Sequence, residues 1–113
     1  MKFDIKKNPR KFKVGLNKDI VIEDCGNLNL DFNQQITFLT NDNKEYDVCR
    51  KSWGFYATPS VNSRLLKFDF KTAIVKNSQG NIYVMIVEKN KIEDFYEYLD
   101  KDKNEVIEWL DEK

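Results

Sequence analysis

A chain of 113 residues can bury one hydrophobic core and hardly divide it, so residues 1 to 113 read as a single domain. Nineteen basic residues balance nineteen acidic ones, which removes the global field that would draw the chain to DNA or to an anionic membrane. There is no histidine, which excludes the commonest general base, the Ser-His-Asp triad and histidine metal sites. The balance of charge is uneven along the chain. Residues 1 to 20 hold seven basic side chains against two acidic ones, and residues 90 to 113 hold four lysines against nine carboxylates. Two solvated termini or a head-to-tail homo-oligomer both fit that asymmetry.

Cys25 and Cys49 are too few for a disulfide scaffold, and reduced thiols are expected. The charged amino end lacks the apolar core of a signal peptide, and no segment approaches the roughly 20 apolar residues that span a bilayer. A cytoplasmic protein without a membrane partner is the expectation.

In chain order, residues 1 to 10 are basic, end in Asn8-Pro9 and read as an arm with a short strand at Lys2 to Lys6. Phe12, Val14 and Leu16 alternate with polar residues as a half-buried strand does. Asn17-Lys18-Asp19 turns the chain into the β-branched run Ile20-Val21-Ile22, and Asp24 to Asn27 with Gly26 predicts another turn. Leu28, Leu30 and Phe32 then share a face. Ile36 to Thr40 and Glu45 to Arg50 read as a hairpin about Asn41-Asp42-Asn43-Lys44, because Asn and Asp tolerate positive φ. The two-residue period sets Asp47 and Cys49 on the face opposite Tyr46 and Val48.

Thr58-Pro59 predicts a helix start, Thr58 as N-cap and Pro59 at the first helical position, running to about Lys67. Thr72 to Lys76 and Ile82 to Glu88 read as strands, and the apolar run in the second predicts a central strand buried on both faces. Asn90 with Glu93 resembles a capping box, and Ile92, Phe95, Tyr96 and Leu99 form a helical stripe. Val106 to Leu110 fits an edge strand, and its spacing also fits a helical turn. The fold class is α+β: a mainly antiparallel β-sheet of six to eight strands, curled or split into a small sandwich. A short helix follows the central loop, and a longer helix near the C-terminus covers one sheet face.

The stretch Tyr46 to Arg64 exceeds what folding requires of its residues. It gathers Asp47, Arg50, Lys51, Trp53, Tyr56, Ser60, Asn62 and Arg64 around Gly54 and Pro59. Asp47 is either a general base or the partner of Arg50 or Arg64. The amino end of the short helix, with N–H groups of Ser60 and Val61, suits an anion, and Arg50, Lys51, Asn62 and Arg64 can complete such a site. Trp53, Phe55 and Tyr56 offer flat faces to a sugar or a base. Single-stranded RNA is an alternative that the missing basic face disfavours. The residues form no P-loop, dinucleotide fingerprint or cysteine zinc site, so neither cofactor nor metal is expected.

The run Arg50-Lys51-Ser52-Trp53-Gly54-Phe55-Tyr56-Ala57-Thr58-Pro59-Ser60-Val61-Asn62-Ser63-Arg64-Leu65, with Asp24-Cys25-Gly26 and Glu45-Tyr46-Asp47-Val48 before it, resembles a family of small uncharacterised bacterial proteins. Those proteins are often encoded beside surface-polysaccharide and sugar biosynthesis genes, and the likeness extends over about residues 20 to 111. Glycine is more usual in that family where this chain has Ser63 and Asp69. The resemblance implies a setting, carbohydrate assembly, and not a reaction. The expected function is a non-catalytic accessory or binding protein whose Asp47 to Arg64 locus takes a small anionic sugar, a nucleotide sugar or a sugar-biosynthesis enzyme. The alternative is a small enzyme on a nucleotide sugar with Asp47 as base.

Overall fold

The computed structural model describes residues 1 to 113 as eight antiparallel strands in three separate sheets. β1 (Lys2–Val14) and β2 (Ile20–Asn29) form a long hairpin; β3 (Gln35–Leu39), β4 (Glu45–Lys51) and β5 (Gly54–Ala57) form a meander. The single helical turn α1 (Arg64–Lys67) leads into β6 (Phe70–Lys76), and β7 (Ile82–Glu88), α2 (Ile92–Lys101) and β8 (Glu105–Trp109) complete a sheet of order β7-β6-β8. Strand exceeds helix by 51% to 18%, no sheet closes, and the longer helix lies near the C-terminus, so the α+β class holds. No helix is long and apolar enough to cross a membrane.

Residues 1 to 10 are not an arm. They belong to β1, because its cations have partners across the hairpin: Lys6 and Arg10 reach Asp24 at 2.8 and 3.5 Å, and Lys11 reaches Glu23 at 3.6 Å. Pro9 sits where the register breaks between Ile5 and Arg10, a place in the ladder where no N–H is needed. Nor does Asp24 to Asn27 turn. Gly26 stays in β2 opposite Ile5, and it is glycine because a Cβ there would lie 2.4 Å from the Asp4 carbonyl oxygen.

The core is built on β6, not on β7. Ala73, Val75 and Leu99 of α2 are almost wholly buried, with Met85, Phe95, Val106 and Trp109 packed around them. Phe95 meets Trp109 edge-on, with centroids 5.8 Å apart. β6 has a strand on each side, whereas β7 is an edge strand whose Ile82, Tyr83 and Val84 remain exposed. Val106 to Leu110 resolves in favour of the edge strand β8.

The capping box at Asn90 does not form. The Asn90 side-chain oxygen instead accepts from Lys44 Nζ at 3.0 Å, and the same ammonium lies 3.4 Å from Glu88, which ties the meander to β7. Burial would lower the Lys44 pKa, but Asp42 and Glu88 outweigh it and hold it above 10.5. Glu93 and Asp94 in the first turn of α2 complement the positive end of its dipole without a side-chain cap. Only 12 of 113 residues are buried, and the radius of gyration of 15.6 Å exceeds the ~13 Å of a compact domain of about 100 residues. The fold is therefore open, and polar joints carry part of what a larger core would.

Candidate functional site

The β3–β4–β5 meander and the chain from Thr58 to Arg64 hold every residue of the candidate locus. Asp47 is 4% exposed on β4, opposite Thr37, whose hydroxyl donates to its carboxylate at 2.5 Å. It forms no ion pair with Arg50 or Arg64, because both guanidinium groups are occupied elsewhere. Asp47 thus acts as an internal acceptor between two strands, and its carbonyl also accepts from the Thr58 N–H at 3.1 Å. Asp47 lines none of the four principal cavities, and at 4% exposure its carboxylate offers little access to a substrate proton.

Arg50 lies between two aromatic rings, its guanidinium carbon 5.2 Å from the centroids of both Phe32 and Phe55. One terminal nitrogen donates to the carbonyls of Lys51 and Gly54, the latter at 3.1 Å. That nitrogen therefore clasps the turn Ser52-Trp53 that joins β4 to β5. Lys51 Nζ donates to the Asn33 side chain at 2.6 Å, and Asn33 reaches that position by a φ of +66° that asparagine tolerates. Phe32 and Asn33 lie outside the stretch singled out by composition. The one signal that could have found them, a bulky apolar residue beside an Asn, is common to many turns.

Trp53 and Tyr56 stand out from this frame. Trp53 is 69% exposed at the turn, with its ring 6.0 Å from that of Tyr56 and tilted by 32°. Tyr56 pairs with Cys49, so the two rings lie on the Asp47 face of the meander, while Phe55 and Arg50 occupy the opposite face.

The helix expected from Pro59 to Lys67 starts only at Arg64. The Thr58 hydroxyl donates to the Gln35 side chain at 2.7 Å and does not cap; Pro59 is fully buried. Capping passes to Ser60, whose hydroxyl oxygen accepts from the Arg64 N–H at 3.1 Å and whose carbonyl accepts from Ser63 and Leu65. The N–H groups of Ser60 and Val61 are thus not the open first turn of a helix, and four helical residues supply little dipole. Asn62 donates to the Lys113 carbonyl at 3.4 Å, while Arg64 stacks over Phe68 at 5.8 Å and forms no ion pair. The locus therefore divides into four parts: the buried Asp47, the Arg50–Lys51 clasp, the Trp53–Tyr56 rings, and the Ser60–Asn62–Arg64 corner.

That corner ends at Asp69, which has a φ of +68°, the left-handed conformation that favours glycine. Its carbonyl accepts from the Lys89 N–H at 2.9 Å and so sets α1 against the end of β7. Both cysteines are free, and no group of three or more Asp, Glu or Cys side chains is arranged to hold a metal ion. No protein-family model, curated protein or solved structure matches the chain.

Proposed function

We propose that the chain is a non-catalytic binding protein of bacterial surface-polysaccharide or sugar biosynthesis, and that it takes the ring of a sugar or nucleotide sugar on Trp53 and Tyr56. The observation that carries this reading is an indole 69% exposed and held beside a second ring at a clasped turn. Flat aromatic faces suit the C–H face of a pyranose or the plane of a base. Arg50 and Lys51 serve the turn, and Arg64 forms no ion pair but stacks over Phe68 in a corner apart from the two rings. The buried, hydrogen-bonded Asp47 supports binding over the enzymatic alternative, since a general base must reach its proton.

The test is a titration of nitrogen-labelled protein with neutral sugars, sugar phosphates and nucleotide sugars, followed at the two indole N–H signals of Trp53 and Trp109. A binder should move Trp53 and leave Trp109 in place. Trp53→Ala should weaken binding by about tenfold or more, the scale of about 1–3 kcal/mol found for a base stacked on an aromatic ring. A Trp53 signal that no compound moves would count decisively against this reading.

A further inference from the structure

The β1–β2 ribbon is left without a neighbour along its length. No other strand or helix packs along it, and at its tip the Leu16 N–H donates to Asp102 at 3.0 Å. Residues paired across the ladder share a face, so Phe3 with Leu28 and Phe12 with Ile22, together with Ile5, give the ribbon one apolar side. On that side Phe3 and Ile5 are 62% and 71% exposed. Two strands alone are marginal in water, and an apolar side of this kind is stabilised by further strands.

The two outer edges of the ribbon differ. β1 is blunted: its ladder breaks between Ile5 and Arg10, around Pro9, and Lys2, Lys7 and Lys13 have no carboxylate partner. A second β1 laid against it would set cation against cation. β2 runs unbroken from Ile20 to Asn29 without lysine or proline, and none of its backbone groups bonds to a strand or loop outside the hairpin. Its only charges, Glu23 and Asp24, are met within the ribbon by Lys11 and by Lys6 with Arg10.

This open edge is complementary to itself. Laid antiparallel about a two-fold axis through Cys25, it sets Ile22 against Leu28, Asp24 against Gly26, and Ile20 against Leu30 just past the strand, and no charge faces a like charge. The two neighbouring registers that keep the faces aligned set Asp24 against its own copy or against Leu28. We infer that the chain forms a symmetric dimer by pairing β2 with β2 of a second copy, which makes a four-stranded sheet of order β1-β2-β2-β1 with one continuous apolar side. The contact is separate from Trp53 and does not rest on the sugar reading.

The test uses the full chain. Sedimentation equilibrium should give twice the 13.5 kDa of one chain, and hydrogen exchange in β2 should slow as protein concentration rises, with no such change in the other exposed edge, β7. On the axis the two Cys25 Cα atoms lie about 4.5–5.5 Å apart, within the span of a disulfide. Diamide, as oxidant, should therefore join the dimer through the exposed Cys25 and leave the buried Cys49 a thiol. Cys25→Ser should keep the dimer and lose only the cross-link. Cys25→Lys sets ammonium against ammonium on the axis and should raise the dissociation constant by about fivefold or more. The inference is overturned by a monomer at concentrations up to about 1 mM, by a dimer that diamide does not join at Cys25, by slowed exchange in β7 in place of β2, or by an unchanged dissociation constant in Cys25→Lys.

Discussion

Removing the Arg50 side chain tests whether the stretch around Trp53 is a binding surface of free cations or a clasped turn bearing exposed rings. The guanidinium rests between Phe32 and Phe55 at 5.2 Å from each centroid and donates to the carbonyls of Lys51 and Gly54. Two partly exposed cation–π contacts contribute about 0.5–1 kcal/mol each. Hydrogen bonds from a charged donor contribute about 1.5–3 kcal/mol when buried, and half-exposure reduces that to about 1–2 kcal/mol for the pair. Arg50→Ala should therefore cost about 2–4 kcal/mol in the protein without any ligand, or about 8–16 °C of melting temperature at about 4 °C per kcal/mol. Arg50→Lys should recover less than half, because an ammonium that donates to both carbonyls cannot also lie flat between two rings. Urea unfolding followed by circular dichroism gives the free energy, and a thermal melt checks it. An Arg50→Ala protein that melts within about 2 °C of wild type would refute the clasp and return Arg50 to the role of a free anion ligand.

Three further perturbations bear on the fold. Gly26→Ala drives a Cβ to 2.4 Å from the Asp4 carbonyl oxygen, and should cost about 1–3 kcal/mol by forcing the two backbones apart; hydrogen exchange should quicken along β1 and not in β6. Asp69→Gly should be neutral or stabilising by up to about 1 kcal/mol in urea unfolding, since φ is +68° there, whereas Asp69→Val should be clearly destabilising. Burial would lower the Lys71 pKa, but Asp111 and Glu112 outweigh it and hold the ammonium above 10.5. A folded-state value above the unfolded one means that this contribution is whole below pH 10.5 and is lost as pH rises through the raised value. Lys71→Met should therefore flatten the alkaline decline of melting temperature, and a difference confined to acid pH would contradict the assignment.

The elements legible in the sequence are those whose signals are local. Asn41 to Lys44 gives the β3–β4 turn because Asn43 takes a φ of +63°, and the Phe95–Leu99 stripe gives α2 because one face of the helix meets β6. The misread elements depend on distant partners. Lys6 and Arg10 look like a solvated arm until Asp24 is set beside them, and Thr58-Pro59 looks like a helix start until Gln35 takes the threonine hydroxyl. The apolar run of β7 states what a strand can bury and not how many neighbours it has; β8 joins the other side of β6 and leaves Ile82 and Val84 exposed. In the candidate site, composition singled out the stretch but not its joints, since Phe32 and Asn33 hold Arg50 and Lys51 from outside it.

Those joints separate what stability explains from what it does not. Thr58, Ser60 and Asn62 each have a partner inside the protein, as do Asp47, Arg50 and Lys51, and each bond fixes a strand, a turn or a chain end. Their presence follows from an open fold with little core. Trp53 does not follow from it. The turn between Lys51 and Gly54 has two residues, and such turns favour Asn, Asp and Gly, which reach positive φ without strain. An indole there gains little from burial, because 69% of it faces water, and its neighbour Tyr56 is itself half exposed. Neither turn geometry nor packing accounts for a large aromatic residue at that position. Under the proposed function, this ring and Tyr56 are the surface on which a sugar ring would lie.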